Sequence, residues 1–431
     1  MIDGETVKLG DVADLSGGFA FKSGQYTDAG RFVLRTVNIR DDCSITKEGA
    51  TYISEAEAAD FERFSLKEHD TLFVMVAATL GKIGYVRSVD LPALLNQNMW
   101  VIRAKDDRID PVFLHYLFRE ISKIPLAWVS GSARSFLRRD DVRNLEFVLP
   151  DRSVQCEIAR ILRALDDKIE LNRRMNETLE AMARAVFRDW FVDFGPTRAK
   201  MEGRAPYLSP TLWPLFPAHL TDQGIPEGWE EKPLTAFFSI IGGGTPKTSQ
   251  PEYWSGNIPW FSVTDTPQKG SVFVIETEKN ITDLGLAESS TRLVPKGTTI
   301  ISARGTVGNL AVAGHDMTFN QSCYGLSANA PVGDCFVYLA AQHMVDRLQS
   351  MAHGSVFSTI TRQTFETITL PMPDPAVLIA FQAMVEKNFE RILASVKESR
   401  TLAQTRDLLL PRLLAGEIRL PDAEKTVETV L

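Results

Sequence analysis

Between Ser153 and Phe194 the chain reads SVQCEIARILRALDDKIELNRRMNETLEAMARAVFRDWFVDF. Val154, Ile158, Ile161, Leu165, Met175, Leu179, Met182 and Val186 recur at alternating steps of four and three. That stripe is what an α-helix makes when it buries one face. Lys168 and Asn172 stand at seam positions within it, where a polar residue commonly fixes register at some cost in stability. At about 1.5 Å per residue such a helix spans roughly 60 Å, and it cannot persist alone in water. The stretch therefore demands a second helix of similar length.

The chain supplies one from Asp374 onward, where Leu378, Val385, Phe389, Ile392, Val396, Ala403 and Leu410 fall on one side. Asp374-Pro375 reads as an N-cap followed by proline at the first helical position, and Pro411 is expected to end or kink the helix after Leu410. The simplest arrangement is an antiparallel pair, each helix covering the apolar face of the other.

The two stretches belong to a longer repeat. Gly17-Gly18 with Lys22 returns as Gly242-Gly243 with Lys247, at an offset of 225 (247 − 22). Gly81 to Gly84 returns as Gly305 to Gly308 and Asn96-Gln97 as Asn320-Gln321, both offset by 224. Gly131-Ser132 matches Gly354-Ser355, Pro150-Asp151 matches Pro373-Asp374, and Val154 matches Val377, all at 223. Each match is weak alone, but their common order is that of a duplication with short loop deletions.

The expected organisation is a first block at 1–150, a long helix at 151–194, a proline-rich connector at 195–228, a second block at 229–373, a second long helix at 374–416 and a tail at 417–431. Six prolines between Gly195 and Gly228 argue against regular structure in the connector. In the first block Phe32 to Ile39, Thr71 to Ala77 and Met99 to Arg103 read as strands and Pro111 to Ile121 as a helix. In the second, Thr298 to Ile301 reads as a strand and Cys335 to Leu348 as a helix. The fold class is α+β: two similar mixed blocks separated by two long antiparallel helices.

With 431 residues and 44% apolar side chains, more than one core can form. Cys43, Cys156, Cys323 and Cys335 show no CxxC pair, so neither a zinc site nor a disulfide framework is expected. No apolar run approaches about 18 residues, and the N-terminus lacks a basic stretch followed by an apolar one. The reading is a cytoplasmic protein in a reducing compartment. The formal charge of −8 does not announce a nucleic-acid binder.

Catalytic signatures are missing. There is no GxxxxGK[ST], GxGxxG, GxSxG or HExxH, the six histidines are scattered, and no metal site is expected. The chain contains no Pro-Pro, so the Asn/Asp-Pro-Pro-aromatic loop of a base-amino methyltransferase is absent as well. Binding residues remain. Lys22 and Ser23 flank the first glycine pair, and Thr245, Lys247 and Thr248 follow the second; Lys82 lies between Gly81 and Gly84, while Ser302, Arg304 and Thr306 surround Gly305. Glycine lets a backbone approach a ligand closely, and hydroxyl and basic side chains suit phosphate oxygens and base edges. Plain hairpin turns would look the same. A second group precedes each helix: Arg134, Ser135, Arg138 and Arg139 in the first half, Thr359 and Arg362 in the second. Asp140 and Asp141 leave open a solvated surface of local salt bridges there. Trp100, Trp128, Trp254 and Trp260 read as core rather than as stacking platforms.

The twofold layout and the segments GGGTPKTSQPEYWSGNIPWFSVTD, ISARGTVGNLAV, NQSCYGL, FRDWFVDFGPTRAKMEG and RDLLLPRLLAGEI together resemble the specificity subunit of type I restriction-modification systems. The likeness covers essentially the whole chain. It implies two target-recognition domains on double-stranded DNA, each reading one half of a split, asymmetric sequence. It also implies a non-catalytic subunit whose helices dock two methyltransferase subunits and, through them, restriction subunits. The helix positions expected to face those partners are Ile158, Leu162, Leu179, Met182, Phe187, Phe389, Ile392 and Leu409. No cofactor is expected on this chain; S-adenosylmethionine, ATP and Mg belong to the partner subunits. Phosphate contacts from those partners would offset the acidic total. Phe19-Ala20-Phe21 departs from Gly244-Thr245-Pro246, which gives Lys247 more weight than Lys22. The competing reading is a protein-interaction scaffold with two blocks spaced by the helix pair.

Overall fold

The structure, a computed structural model, describes residues 4–76, 79–131, 137–351 and 359–431, with the side chains of 128–131 and 349–351 outside the description. The chain divides into two compact units, Met1–Lys168 with Thr401–Leu431, and Ile169–Arg400.

Among the described residues of the first unit nine strands are laid down in chain order: β1 (Gly4–Lys8), β2 (Ala13–Gly17), β3 (Arg31–Leu34), β4 (Thr51–Ile53), β5 (Thr71–Val74), β6 (Ile83–Tyr85), β7 (Ala93–Leu95), β8 (Met99–Ala104) and β9 (Glu146–Pro150). β1 pairs antiparallel with β9, from Gly4 opposite Pro150 to Lys8 opposite Glu146. The start of the chain is thus fastened to the strand that leads into the first long helix. An antiparallel sheet runs in the order β2-β8-β5-β6, and β3 pairs antiparallel with β4 and parallel with β7. Leu72, Val74, Met99 and Val101 pack with Phe32 and Leu34 between these sheets. The strand expected to reach Ile39 stops at Leu34. Thr36–Asn38 is a 3-10 turn instead, because the Asn38 side chain accepts the Arg35 N–H at 3.0 Å and offers the backbone a local alternative to the ladder. The Pro111–Ile121 helix forms as expected, with Asp110 accepting from the N–H groups of Val112 and Phe113, both at 2.9 Å.

The second unit repeats this plan. Its strands are β10 (Glu230–Pro233), β11 (Phe238–Gly242), β12 (Trp254–Phe261), β13 (Phe273–Val274), β14 (Lys279–Ile281), β15 (Thr299–Ser302), β16 (Leu310–Ala313), β17 (Thr318–Phe319), β18 (Cys323–Ala328) and β19 (Thr369–Met372). β10 pairs with β19, the main sheet runs β11-β18-β15-β16-β13, and β12 pairs antiparallel with β14 and parallel with β17. Strand for strand this is the first unit with β13 added. A helix, Asp334–Met351, follows β18.

The two long helices are Arg152–Phe191 and Pro375–Leu414. Within the first unit Arg406 Nη1 lies 2.5 Å from Asp166, whose carboxylate also accepts the Tyr116 hydroxyl at 2.7 Å. Burial, then the Asp166 charge, pushes the Tyr116 pKa well up. Within the second, Asn172 Nδ2 donates to Glu398 at 2.8 Å and to Ser399 at 3.3 Å, and Asn388 Nδ2 reaches the Leu179 carbonyl at 3.5 Å. Partner numbers fall on one helix as they rise on the other, so the pair is antiparallel. Of the two polar seam residues Lys168 is half-buried and Asn172 is 1% exposed, and the hydrogen bonds of Asn172 tie it to one register.

The connector is corrected, and the tail and Pro411 gain detail. The connector is not free of regular structure: Gly195–Met201 is helical, with Pro196 in the first turn where no N–H is needed, and Phe216 is buried against Trp190 at 4.8 Å between ring centres. The tail carries a helix, Leu420–Glu428, that buries Ala423 and Val427. Pro411 does not end the second long helix, which continues to Leu414. Both Pro411 and Asp407 are exposed, which places the proline on the solvent side of the helix, where loss of one backbone hydrogen bond is tolerated.

Candidate nucleic-acid interface

The repeated glycine pair and the repeated Asn-Gln meet in space, and they do so the same way in each unit. In the first, Phe19 N–H donates to the Leu95 carbonyl at 3.0 Å and Asn96 N–H to Leu34 at 3.0 Å. In the second, Gly244 N–H donates to Phe319 at 3.0 Å and Asn320 N–H to Phe261 at 2.9 Å. The chain after β2 or β11 therefore presses onto the turn before β8 or β18. A Cβ on Gly18 would stand 2.5 Å from the Asn96 carbonyl carbon, and one on Gly243 would stand 2.7 Å from that of Asn320. Only glycine admits this approach.

The hairpins after β5 and β15 join the same end of each sheet. Val74 pairs with Met99 beside Gly17 opposite Trp100, and Ser302 pairs with Cys323 beside Gly242 opposite Tyr324. Met75 N–H bonds to Asn98 at 3.0 Å, and Ala303 N–H to Ser322 at 2.8 Å. In the second unit Ile360 N–H donates to the Ala303 carbonyl at 3.0 Å, and Arg362 donates to the Ile240 carbonyl at 3.1 Å. In the first, Arg139 lies 5.9 Å from the Trp100 ring centre.

Of the expected DNA-facing residues, Lys22, Ser23, Arg138, Arg139, Lys247, Thr248, Arg304, Thr306, Thr359 and Arg362 are exposed. Thr245 is half-buried and its hydroxyl bonds to the Gln321 side chain. Lys82 is half-buried and paired with Asp41 at 2.8 Å. Arg134 and Ser135 lie outside the described residues. Ser302 is a correction: it is 1% exposed, and its hydroxyl bonds to Thr306 and accepts from Asn309 N–H at 2.9 Å, so it closes its own hairpin and offers nothing outward. Trp100 and Trp260 are buried, as expected, and Trp254 is half-buried with its ring against Trp260. The exposed Gln97 and Gln321 were not among the expected contacts, although the repeat contained them.

Most of the positions expected to face partner subunits are instead internal. Ile158, Leu162 and Ile392 are 0% exposed, Leu409 1%, Phe187 2% and Phe389 4%. Phe187 packs on Phe191, Phe336 and Phe381, with ring centres 5.3–6.1 Å apart. A helical stripe marks burial without saying against what, and here the chain's own core takes it. Leu179 is partly buried against that core, while Met182 is 54% exposed. Exposed apolar side chains off the stripe, Leu171, Ile379, Met384 and Leu408, are the ones periodicity missed.

Two α/β blocks of one topology, each with exposed cations, hydroxyls and amides gathered at one end of its main sheet, define a duplicated recognition protein. A family model for the type I restriction modification DNA specificity domain matches residues 1–181 and 226–377. The chain is 30% identical over 324 residues to the HindI specificity subunit of Haemophilus influenzae, covering 65% of this chain and 70% of that one. It is 25% identical over 358 residues to the MjaIX specificity subunit of Methanocaldococcus jannaschii, covering 79% and 76%. The crystal structure of an S subunit from M. genitalium shares its fold, with a TM-score of 0.50 at 16% identity over 96% of each chain. The chain belongs to the type I restriction-modification DNA specificity family, and is a recognition subunit rather than a catalyst. Among the described residues no helix is long and apolar enough to cross a membrane.

Proposed function

We propose that each unit reads one half of a split, asymmetric DNA target and that the two long helices dock two methyltransferase subunits, through which restriction subunits join. S-adenosylmethionine, ATP and Mg belong to those partners, this chain holds no cofactor, and the assembly works in the cytoplasm. The observation that carries the reading is the pairing of one strand topology with different exposed residues at equivalent turns. Duplication preserves the scaffold, and divergence at the loops lets the halves read different bases. Exposed Leu171, Met182, Ile379 and Met384 on the long helices supply apolar surface for partner helices.

The test is to assemble the chain with its methyltransferase subunits and map protected and methylated positions on random-sequence DNA. Two short patches at a constant spacing are expected. A single contiguous patch, or protection without sequence preference, would refute the reading; the second outcome is what a protein-interaction scaffold would give.

A further inference from the structure

The duplication separates exposed residues that both units keep from those that differ. Lys22 and Lys247 recur at an offset of 225, Gln97 and Gln321 at 224, and Arg139 and Arg362 at 223 (362 − 139). All six are exposed. The neighbouring repeats at Gly18/Gly243 and Asn96/Asn320 are explained by the close approach at the turn, which is a scaffold requirement. Burial cannot explain Lys22, Lys247 or the two glutamines, the Thr245 hydroxyl bond to Gln321 has no counterpart at Ala20 in the first unit, and neither lysine has an ion pair among the described residues. Across the hairpins the units diverge: Leu80 stands where the second unit has Arg304, and Lys82, held by Asp41, stands where it has exposed Thr306, both at 224.

What two different half-sites share is the sugar-phosphate backbone, and what distinguishes them is their base edges. We propose that Lys22/Lys247, Gln97/Gln321 and Arg139/Arg362 are sequence-independent clamps that seat each unit on the backbone, and that the β5–β6 and β15–β16 hairpins read bases, Arg304 foremost. The anchoring bonds fit this division. Arg362 is tethered to the Ile240 carbonyl on the strand that leads into Gly242-Gly243, and Arg139 lies over Trp100, which pairs with Gly17, so both guanidiniums sit beside the glycine pair. The proposal rests on the DNA reading above.

The test uses the chain assembled with its methyltransferase subunits and four duplexes: the full target, either half-site scrambled, and both scrambled. Lys22→Ala and Lys247→Ala are expected to weaken all four by one common factor and to lower the slope of log K against log salt by about one, leaving discrimination intact. Gln97→Ala and Gln321→Ala should weaken all four equally with no change in slope. Arg304→Ala should cut discrimination at one half-site about tenfold or more and leave the other unchanged. Loss of discrimination at one half-site in either lysine or either glutamine variant, or wild-type affinity in all four, would overturn the division into clamps and readers. Equal binding of all four duplexes by the unaltered assembly would instead sink the DNA reading itself.

Discussion

Two adjacent glycines in each unit make a sharp test, because the structure assigns them opposite sensitivities. A Cβ on Gly242 meets nothing within 4 Å, whereas one on Gly243 would stand 2.6 Å from Phe319 Cδ2 and 2.7 Å from the Asn320 carbonyl carbon. Ordinary contact begins near 3.4 Å and the Asn320 carbonyl oxygen stands closer still, so Gly243→Ala must drive the Asn-Gln turn back by well over about 0.7 Å. The obstacle is largely backbone, which cannot swing aside as a flexible side chain does. Overpacking of this kind costs about 1–3 kcal/mol, and weakening the Gly244 N–H bond to Phe319 adds about 1 kcal/mol, for a total of about 2–4 kcal/mol. Gly242→Ala should stay within about 0.5 kcal/mol of the parent. Urea unfolding followed by tryptophan fluorescence, with the slope against denaturant checked for constancy, measures both. The same contrast is expected for Gly18→Ala against Gly17→Ala. In the assembled complex, Gly243→Ala and Gly18→Ala should each weaken binding to every duplex without changing discrimination between half-sites, since Gln321 and Gln97 ride on the displaced turns. Equal midpoints for Gly242→Ala and Gly243→Ala would refute the close approach and the placement of the turns that depends on it.

Further outcomes follow from other parts of the molecule. Phe187→Ala empties a fully enclosed aromatic site and should cost about 3–5 kcal/mol by denaturation, while Met182→Ala, at an exposed position, should leave stability within about 0.5 kcal/mol and weaken co-purification with methyltransferase subunits. Arg406→Ala leaves the Asp166 carboxylate short of its closest cation and should cost about 3 kcal/mol. The double change Arg406→Met with Asp166→Leu should cost less than the sum of its single changes, and strict additivity in the cycle would deny the coupling. His115 is buried beside Thr71, at 3.2 Å, and burial, followed by the charges of Arg119, Arg406 and Arg87, pushes its pKa well below the usual 6.5. The unfolded chain takes up that proton near pH 6.5 and the folded chain does not. Stability is therefore full above that pH and falls as pH drops below it, by up to about 1.4 kcal/mol per unit, and His115→Asn should flatten the slope measured between pH 6.5 and 5.

Much of the architecture is local and so is written in the residues themselves. Alternating steps of four and three place two long helices, Asp110-Pro111 starts a helix because proline needs no donor there, and Gly18/Gly243 and Asn96/Asn320 recur because each copy of the turn needs the same close approach. The duplication is legible for the same reason: a scaffold requirement leaves the same residue in both halves. Tertiary structure alone decided what each apolar face meets. Ile158, Phe389 and Ile392 carry the same periodic signal whether they bury against their own chain or against a partner, and the fold spends them inside. Side chains of equal chemistry parted in the same way, Ser302 bonding inward while Thr306 stays exposed, and Lys82 held by Asp41 while Lys247 has no ion pair among the described residues. Residue type and spacing are properties of neighbours along the chain, but exposure and pairing depend on segments tens to hundreds of positions away.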